Sequence, residues 1–184
     1  MPQLRLSTLA IIIGLVMGLP QIYGLMNPES FRTAVRKFPR SVPWGFALML
    51  TGTAWFLYNL SLESISDFAS YKNFLFGGFA GVGIGTCIFV QDFLAVRGLA
   101  VVLLLLAKLM VDTGRPSLDH TGWVLVFQTL AYVLVIVGMW LTISPWRLRD
   151  LLDWATATEK RIKVGCGVRL AFGLVIAALG FLKY

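Results

Sequence analysis

The chain has 184 residues, 58% of them hydrophobic and only 14% charged, with a formal net charge of +7. A soluble domain of this length carries about 45–50% apolar and about 25% charged residues. This chain is therefore built for lipid, and its basic balance belongs to a membrane surface rather than to nucleic acid. One histidine and two cysteines exclude a bis-histidine haem and provide no metal-ligand spacing, so neither a cofactor nor a metal is expected.

The first apolar run, "LRLSTLAIIIGLVMGLPQIYGLM", predicts a helix over residues 6–26. With Arg5 in front it has the outline of a signal peptide. It is too long for an h-region, however, and no small-x-small cleavage site follows. Gly14 and Gly18 stand four residues apart, a spacing that lets helix backbones approach closely in lipid. Pro20 frees a backbone carbonyl one turn back and should kink the helix beside Gln21, a candidate polar lining residue.

The segment "MNPESFRTAVRKFPRS" predicts a short amphipathic helix. Asn27 can cap it, Pro28 suits its first turn, and Pro39 ends it. Phe31, Ala34, Val35 and Phe38 form one apolar stripe at i, i+3, i+4 and i+7. Arg32, Thr33, Arg36 and Lys37 take the other side. A second span follows over 43–62.

The third and fourth spans are expected over 74–91 and 94–112. Roughly forty apolar residues cannot cross about 30 Å of hydrocarbon once, so a turn is required near Gln91–Gly98. Gly77, Gly81 and Gly85 repeat the small-residue spacing. They predict packing inside the bundle first and between subunits second. "GVGIGT" has neither nucleotide-loop spacing nor a preceding strand. Asp92 and Arg97 flank the turn, and Lys108 and Asp112 form an i, i+4 pair. In the following loop, Asp119 and His120 with Asp112 are the one conceivable acid–base or metal group. A lone loop histidine is more simply read as solvated. No Ser/His/Asp or Cys/His set is assembled by spacing. Cys87 reads as a packing residue and Cys166 as a reduced cytoplasmic-side thiol.

A fifth span is expected over 122–143 and a sixth over 164–182. Between them "ISPWRLRDLLDWATATEKRIK" echoes the first basic loop. Ser144 and Pro145 take the cap and first-turn roles. Leu148, Leu151, Leu152 and Ala155 repeat the stripe, and Trp146 and Trp154 add aromatic anchors of headgroup depth. Phe31-Arg32 and Leu148-Arg149 lie at the same offset from their prolines, and Gly45 and Gly167 open the spans that follow. The chain thus reads as one membrane domain over 1–184, with hairpins 4–62 and 122–184 as candidate repeats around a middle hairpin, 74–112.

The C-terminal 45 or so residues, with "LVLVIVGMWLTI", Pro145-Trp146-Arg147, Arg161, Gly165, Gly167 and the ending "GFLKY", resemble the YjeT-like small bacterial inner-membrane family. That family has no assigned chemistry. The resemblance implies a membrane hairpin and no activity.

Charge orients the six spans. One side receives Arg32, Arg36, Lys37, Arg40, Arg97, Arg147, Arg149, Lys160, Arg161, Lys163 and Arg169. The other receives only Arg5, Lys72, Lys108, Arg115 and Lys183. The positive-inside rule places the first set in the cytoplasm and both termini outside. The expectation is an all-α polytopic bundle of six transmembrane helices with two amphipathic interfacial helices on the cytoplasmic face. Its function is expected to be non-enzymatic: an accessory, scaffold or assembly subunit of the bacterial inner membrane, partnered by lipids and by other membrane subunits or itself. Arg32, Arg36, Lys37, Arg40, Arg147, Arg149, Lys160, Arg161 and Lys163 would contact anionic headgroups or an acidic partner surface. The alternative is a small homo-oligomeric transporter or channel, with Gln21, Asn59 or Asp92 lining a path.

Overall fold

The computed structural model describes residues 5–63, 71–118 and 122–184, and there the chain is all α. The eight helices among the described residues are α1 (Leu6–Met26), α2 (Pro28–Lys37), α3 (Val42–Leu62), α4 (Lys72–Phe89), α5 (Leu94–Gly114), α6 (Val124–Ile143), α7 (Trp146–Ala155) and α8 (Glu159–Leu182). Short 3-10 turns at Phe38–Arg40 and Arg115–Ser117 close α2 and extend α5. Two prolines lie at helix boundaries and one breaks the rule. Pro28 opens α2, Pro39 sits in the turn that ends it, and Pro20 lies inside α1.

Five helices, α1, α4, α5, α6 and α8, are long and apolar enough to cross a membrane. The expected second span is the exception. α3 has 21 residues and no charged side chain, enough length for about 30 Å. Trp44, Thr51, Thr53, Trp55, Tyr58 and Asn59 dilute its apolarity, so length and composition alone mark five spans rather than six. The last span also starts earlier than residue 164. α8 begins at Glu159, with Thr158 accepting a hydrogen bond from the Arg161 backbone N–H at 3.3 Å. Lys160, Arg161 and Lys163 therefore stand on the first turns of a long helix, not in a loop.

The turn between α4 and α5 is tighter than expected. Residues 90–93 make the reversal, and Phe93 takes a left-handed φ of 54°. For a bulky side chain that is a strained conformation, costing of order 1–3 kcal/mol. Gly98 is not part of the turn. It lies inside α5, where a Cβ would fall 2.7 Å from the Met49 backbone nitrogen.

The chain divides into two compact units, and the division cuts the hairpins rather than following them. The first unit takes residues 1–36, 106–134 and 149–184. Its centre is the antiparallel pair α1 and α8. A Cβ on Gly14 would fall 2.5 Å from the Gly173 carbonyl oxygen, one on Gly180 would fall 2.9 Å from the Ser7 carbonyl oxygen, and one on Gly24 would meet Cys166 Sγ at 2.7 Å. Without side chains at these points the backbones touch, which in lipid is a principal source of helix affinity. Leu6, Leu9, Ile13 and Ile176 then pack with Met110, Val124, Phe127 and Leu130. The C-terminal residue closes this core. Tyr184 meets Phe127 edge to face at 6.2 Å and donates its hydroxyl to the Trp123 carbonyl at 2.7 Å.

The second unit takes residues 37–105 and 135–148. In it α3 and α5 run parallel. Gly45 lies against Leu94, Gly98 against Leu48 and Met49, and Gly52 against Val101. α4 returns antiparallel to α3, with Gly83 against Thr53 and the Phe56 and Phe79 rings 4.8 Å apart. Cys87 is buried with Met49 and Leu94. The end of α6 lies antiparallel to α5, Gly138 fitting against Leu104 and Ala100.

Candidate functional site: the basic amphipathic helices

α2 and α7 are ten residues each, too short to cross a bilayer and polar enough to sit at its surface. Along α2 and the turn that closes it, Phe31, Val35 and Phe38 are half-buried as the stripe predicts, while Ala34 is exposed. On α7, Leu148, Leu152 and Ala155 are half-buried, but Leu151 is exposed. Each stripe is thus narrower than its spacing suggests. Trp146 and Trp154 are exposed, as aromatic anchors at headgroup depth would be.

Arg36 departs most from the polar-face reading. In the first unit it reaches the end of α7. Its Nε lies 3.1 Å from Asp153 Oδ1 and donates to Thr156 Oγ1 at 2.9 Å. A terminal nitrogen donates to the Asp153 carbonyl at 3.2 Å and the Thr156 carbonyl at 3.5 Å. The last carbonyls of a helix have no partner within it, and a guanidinium supplies the missing donors while favouring the negative end of the dipole. Thr156 is buried, and its hydroxyl donates in turn to the Leu152 carbonyl at 2.7 Å. Arg36 and Thr156 are 120 residues apart, so no local pattern announces the pair.

The other cations of this unit divide by what they touch. Arg149 pairs with Asp150 at 2.8 Å, and Lys163 with Glu159 at 2.6 Å one turn away. Arg161 donates to the Trp154 carbonyl at 3.3 Å and lies over the Trp154 ring at 5.2 Å. Arg32, Lys160 and Arg161 have no acidic partner among the described residues. Lys37, Arg40 and Arg147 belong to the second unit. There Arg40 lies over the Phe93 ring, 5.9 Å from its centroid.

The glycines separate sharply. Gly14 and Gly18 lie in the α1–α8 contact. A methyl added at Gly77 or Gly81 would have nothing within 4 Å, and one at Gly85 would meet only Phe89 of its own helix. Among the described residues, none of another helix packs against these three. Gly167, expected to match Gly45, also faces open space, whereas Gly45 is pressed against Leu94.

The three residues considered for a polar path fall in different units. Gln21 belongs to the first unit. There its amide nitrogen donates to the Met17 carbonyl at 3.2 Å, and its buried oxygen has no partner among the described residues. Asn59 and Asp92 belong to the second. Gly45 packs beside Leu94, and Asn59 lies fourteen residues further along α3, about 21 Å away. Lys108 and Asp112 form their i, i+4 pair at 2.6 Å. Asp119 and His120 lie outside the described residues. Among the described residues no three His, Cys, Asp or Glu side chains gather into a metal-binding group. Cys87 and Cys166 are both buried and free.

These features define a class, a multi-pass membrane protein with five helices long and apolar enough to span. No protein-family model, curated protein or solved structure matches the chain.

Proposed function

We propose that the chain is a non-enzymatic subunit of the bacterial inner membrane, an accessory or assembly scaffold whose α2 and α7 present a basic face to the cytoplasm. The observation that supports this reading most is the Arg36 clamp on the end of α7. Two independent surface helices would each keep a loose basic face. Tied together, they give Arg32, Lys160 and Arg161 a fixed arrangement suited to anionic headgroups or an acidic protein surface. Each such cation contributes about 1 kcal/mol near an anionic leaflet.

A six-span topology with both termini outside goes with this reading. The parallel course of α3 beside α5 over Gly45, Gly98 and Gly52 supports it, since a helix running alongside a spanning one shares its depth. The resemblance of the last hairpin to the YjeT-like family agrees with the location and adds no chemistry.

The deciding experiment is native co-purification with mass spectrometry. Other membrane subunits in fixed ratio support the scaffold. A lone symmetric oligomer with a continuous polar cavity would replace it with the transporter or channel reading, for which the open Gly77–Gly81 face of α4 is the favouring feature. Orientation has its own check. An alkaline-phosphatase fusion at Tyr184 is expected to be active, and an inactive fusion rejects the six-span topology.

A further inference from the structure

Within the first unit, two polar residues flank the α1–α8 seam at one level. Gly18 and Gly24 set the register: a Cβ on the first would meet Leu170 Cδ1 at 3.5 Å, and one on the second would meet Cys166 Sγ at 2.7 Å. Gln21 stands between these glycines, and Arg169 stands between Cys166 and Leu170. Both are on the core side of the seam. Gln21 lies one turn on from Met17, which packs on the core of this unit, and Arg169 lies two turns before Ile176, a member of that core.

Arg169 breaks the pattern of its own face. Ile162 and Ile176 stand seven residues to either side, and they are only 4% and 1% exposed. Two helical turns bring all three to the same side of α8, yet Arg169 is exposed. Gly165, one turn before Arg169 on that side, shows the reason: a Cβ there would meet nothing within 4 Å. The core-facing side of α8 is thus open between two filled levels. Arg169 makes no hydrogen bond or ion pair among the described residues. It lies six residues, about 9 Å, beyond Lys163 along a helix long and apolar enough to span.

A cation in a spanning helix with no partner in the protein takes one from outside it. We infer that the open side of α8 at Gly165 and Arg169 binds the phosphate of one glycerophospholipid. The guanidinium fork matches two phosphate oxygens, and its long stem lets it rise to headgroup depth. Gly165 leaves the headgroup its room. Gln21 uses one amide N–H on the Met17 carbonyl at 3.2 Å, and its second remains as a donor at this level. Phe172, exposed and one turn deeper on α8, offers an apolar surface to an acyl chain, which free phosphate could not use. The site goes beyond the basic face of α2 and α7, since neither helix contributes to it. It requires only that α8 span the membrane.

The test titrates the purified chain in detergent with dioleoylphosphatidylglycerol, with dioleoylglycerol, which has the same chains and no phosphate, and with inorganic phosphate. Native mass spectrometry counts adducts and the thermal midpoint reads stabilisation. The expected result is one saturable phosphatidylglycerol adduct that raises the midpoint, with no response to dioleoylglycerol or to inorganic phosphate. Arg169→Gln should bind it roughly ten- to hundredfold more weakly, and Arg169→Lys, which keeps the charge and loses the fork, should fall between. Gly165→Leu should also weaken binding, because it fills the open space and leaves every charge in place. Lys183→Gln, about 21 Å further along α8, should bind as the wild type does. Without lipid, Arg169→Gln should be no less stable than wild type, since the cation has no partner to lose. A lower lipid-free midpoint would mean that the protein itself holds Arg169, and it overturns the site. Normal binding by Gly165→Leu, or equal weakening by Lys183→Gln, overturns the discrete site in favour of a diffuse charge effect. An equal response to dioleoylglycerol or to inorganic phosphate overturns the phospholipid assignment. None of these results decides whether partner subunits co-purify, so the scaffold reading is tested separately.

Discussion

Gly14 and Gly18 on α1 and Gly77, Gly81 and Gly85 on α4 share one spacing and meet opposite fates. On α1 the glycines are pressed against Gly173, Leu170 and Ala177 of α8, closely enough at Gly14 that a Cβ has no room. On α4 the glycine face looks into open space, and that helix meets α3 through Gly83 and the Phe79 ring instead. The spacing permits close approach in both places. What differs is the partner. Gly173, itself without a side chain, stands opposite Gly14, whereas no described helix of this chain stands opposite Gly77 or Gly81. A small-residue motif states how near a backbone can come and leaves open what comes.

The largest expected effect breaks the tight half of this comparison. Gly14→Val places a branched side chain where the Gly173 carbonyl lies 2.5 Å from the Cβ position. Rigid backbone must then move, and we expect a loss of about 3 kcal/mol or more, read as a large fall in thermal midpoint in detergent. A midpoint within a degree or two of wild type would show that α1 and α8 are not in contact as described.

Next comes the clamp that joins the surface helices. Arg36→Ala removes the ion pair to Asp153 and the bonds to Thr156. With side chains 34% and 50% exposed, solvent screening reduces the ion-pair contribution, and the expected cost is roughly 1 kcal/mol. A double-mutant cycle with Thr156→Val should show coupling, because both changes remove the same bond. Strict additivity would mean that Arg36 does not hold α7.

A similar but pH-dependent effect is expected at the C-terminal residue. Burial raises the Tyr184 hydroxyl above its ordinary value, so the folded state holds that proton more tightly than the unfolded chain does. The stabilisation is fully present below the ordinary tyrosine range near pH 10 and is lost as pH rises through the higher folded value. Tyr184→Phe should cost about 1 kcal/mol at neutral pH through the lost bond to Trp123. It should also flatten the alkaline decline. A variant with the same alkaline slope as wild type would place the titration elsewhere.

The smallest effect sharpens the open half. Gly81→Ala adds a methyl where nothing lies within 4 Å, so monomer stability should change by less than about 0.5 kcal/mol. If instead Gly81→Ala dissociates an oligomer seen by native mass spectrometry, a second copy lies on α4 and the subunit-packing reading of these glycines gains its partner.

Much of the architecture was legible in the residues themselves. Apolar runs bounded by proline and charge specify helices because a bilayer permits few other backbones, and each expected span appears as a helix within a few residues, except that α8 starts five earlier. The capping Thr158 and Glu159 signalled that start locally. The basic amphipathic helices were likewise encoded by proline position and stripe spacing. Tertiary structure alone decided who meets whom. Arg36 finds Thr156 across 120 residues, Gly14 faces Gly173 while Gly81 faces no described helix, and Arg40 is brought over the Phe93 ring. The physical reason is that helix formation in lipid follows from local hydrogen bonding and apolarity, both functions of nearby residues. Helix pairing depends on surface shape between segments far apart in sequence, and apolarity, being equal all round, cannot choose among faces.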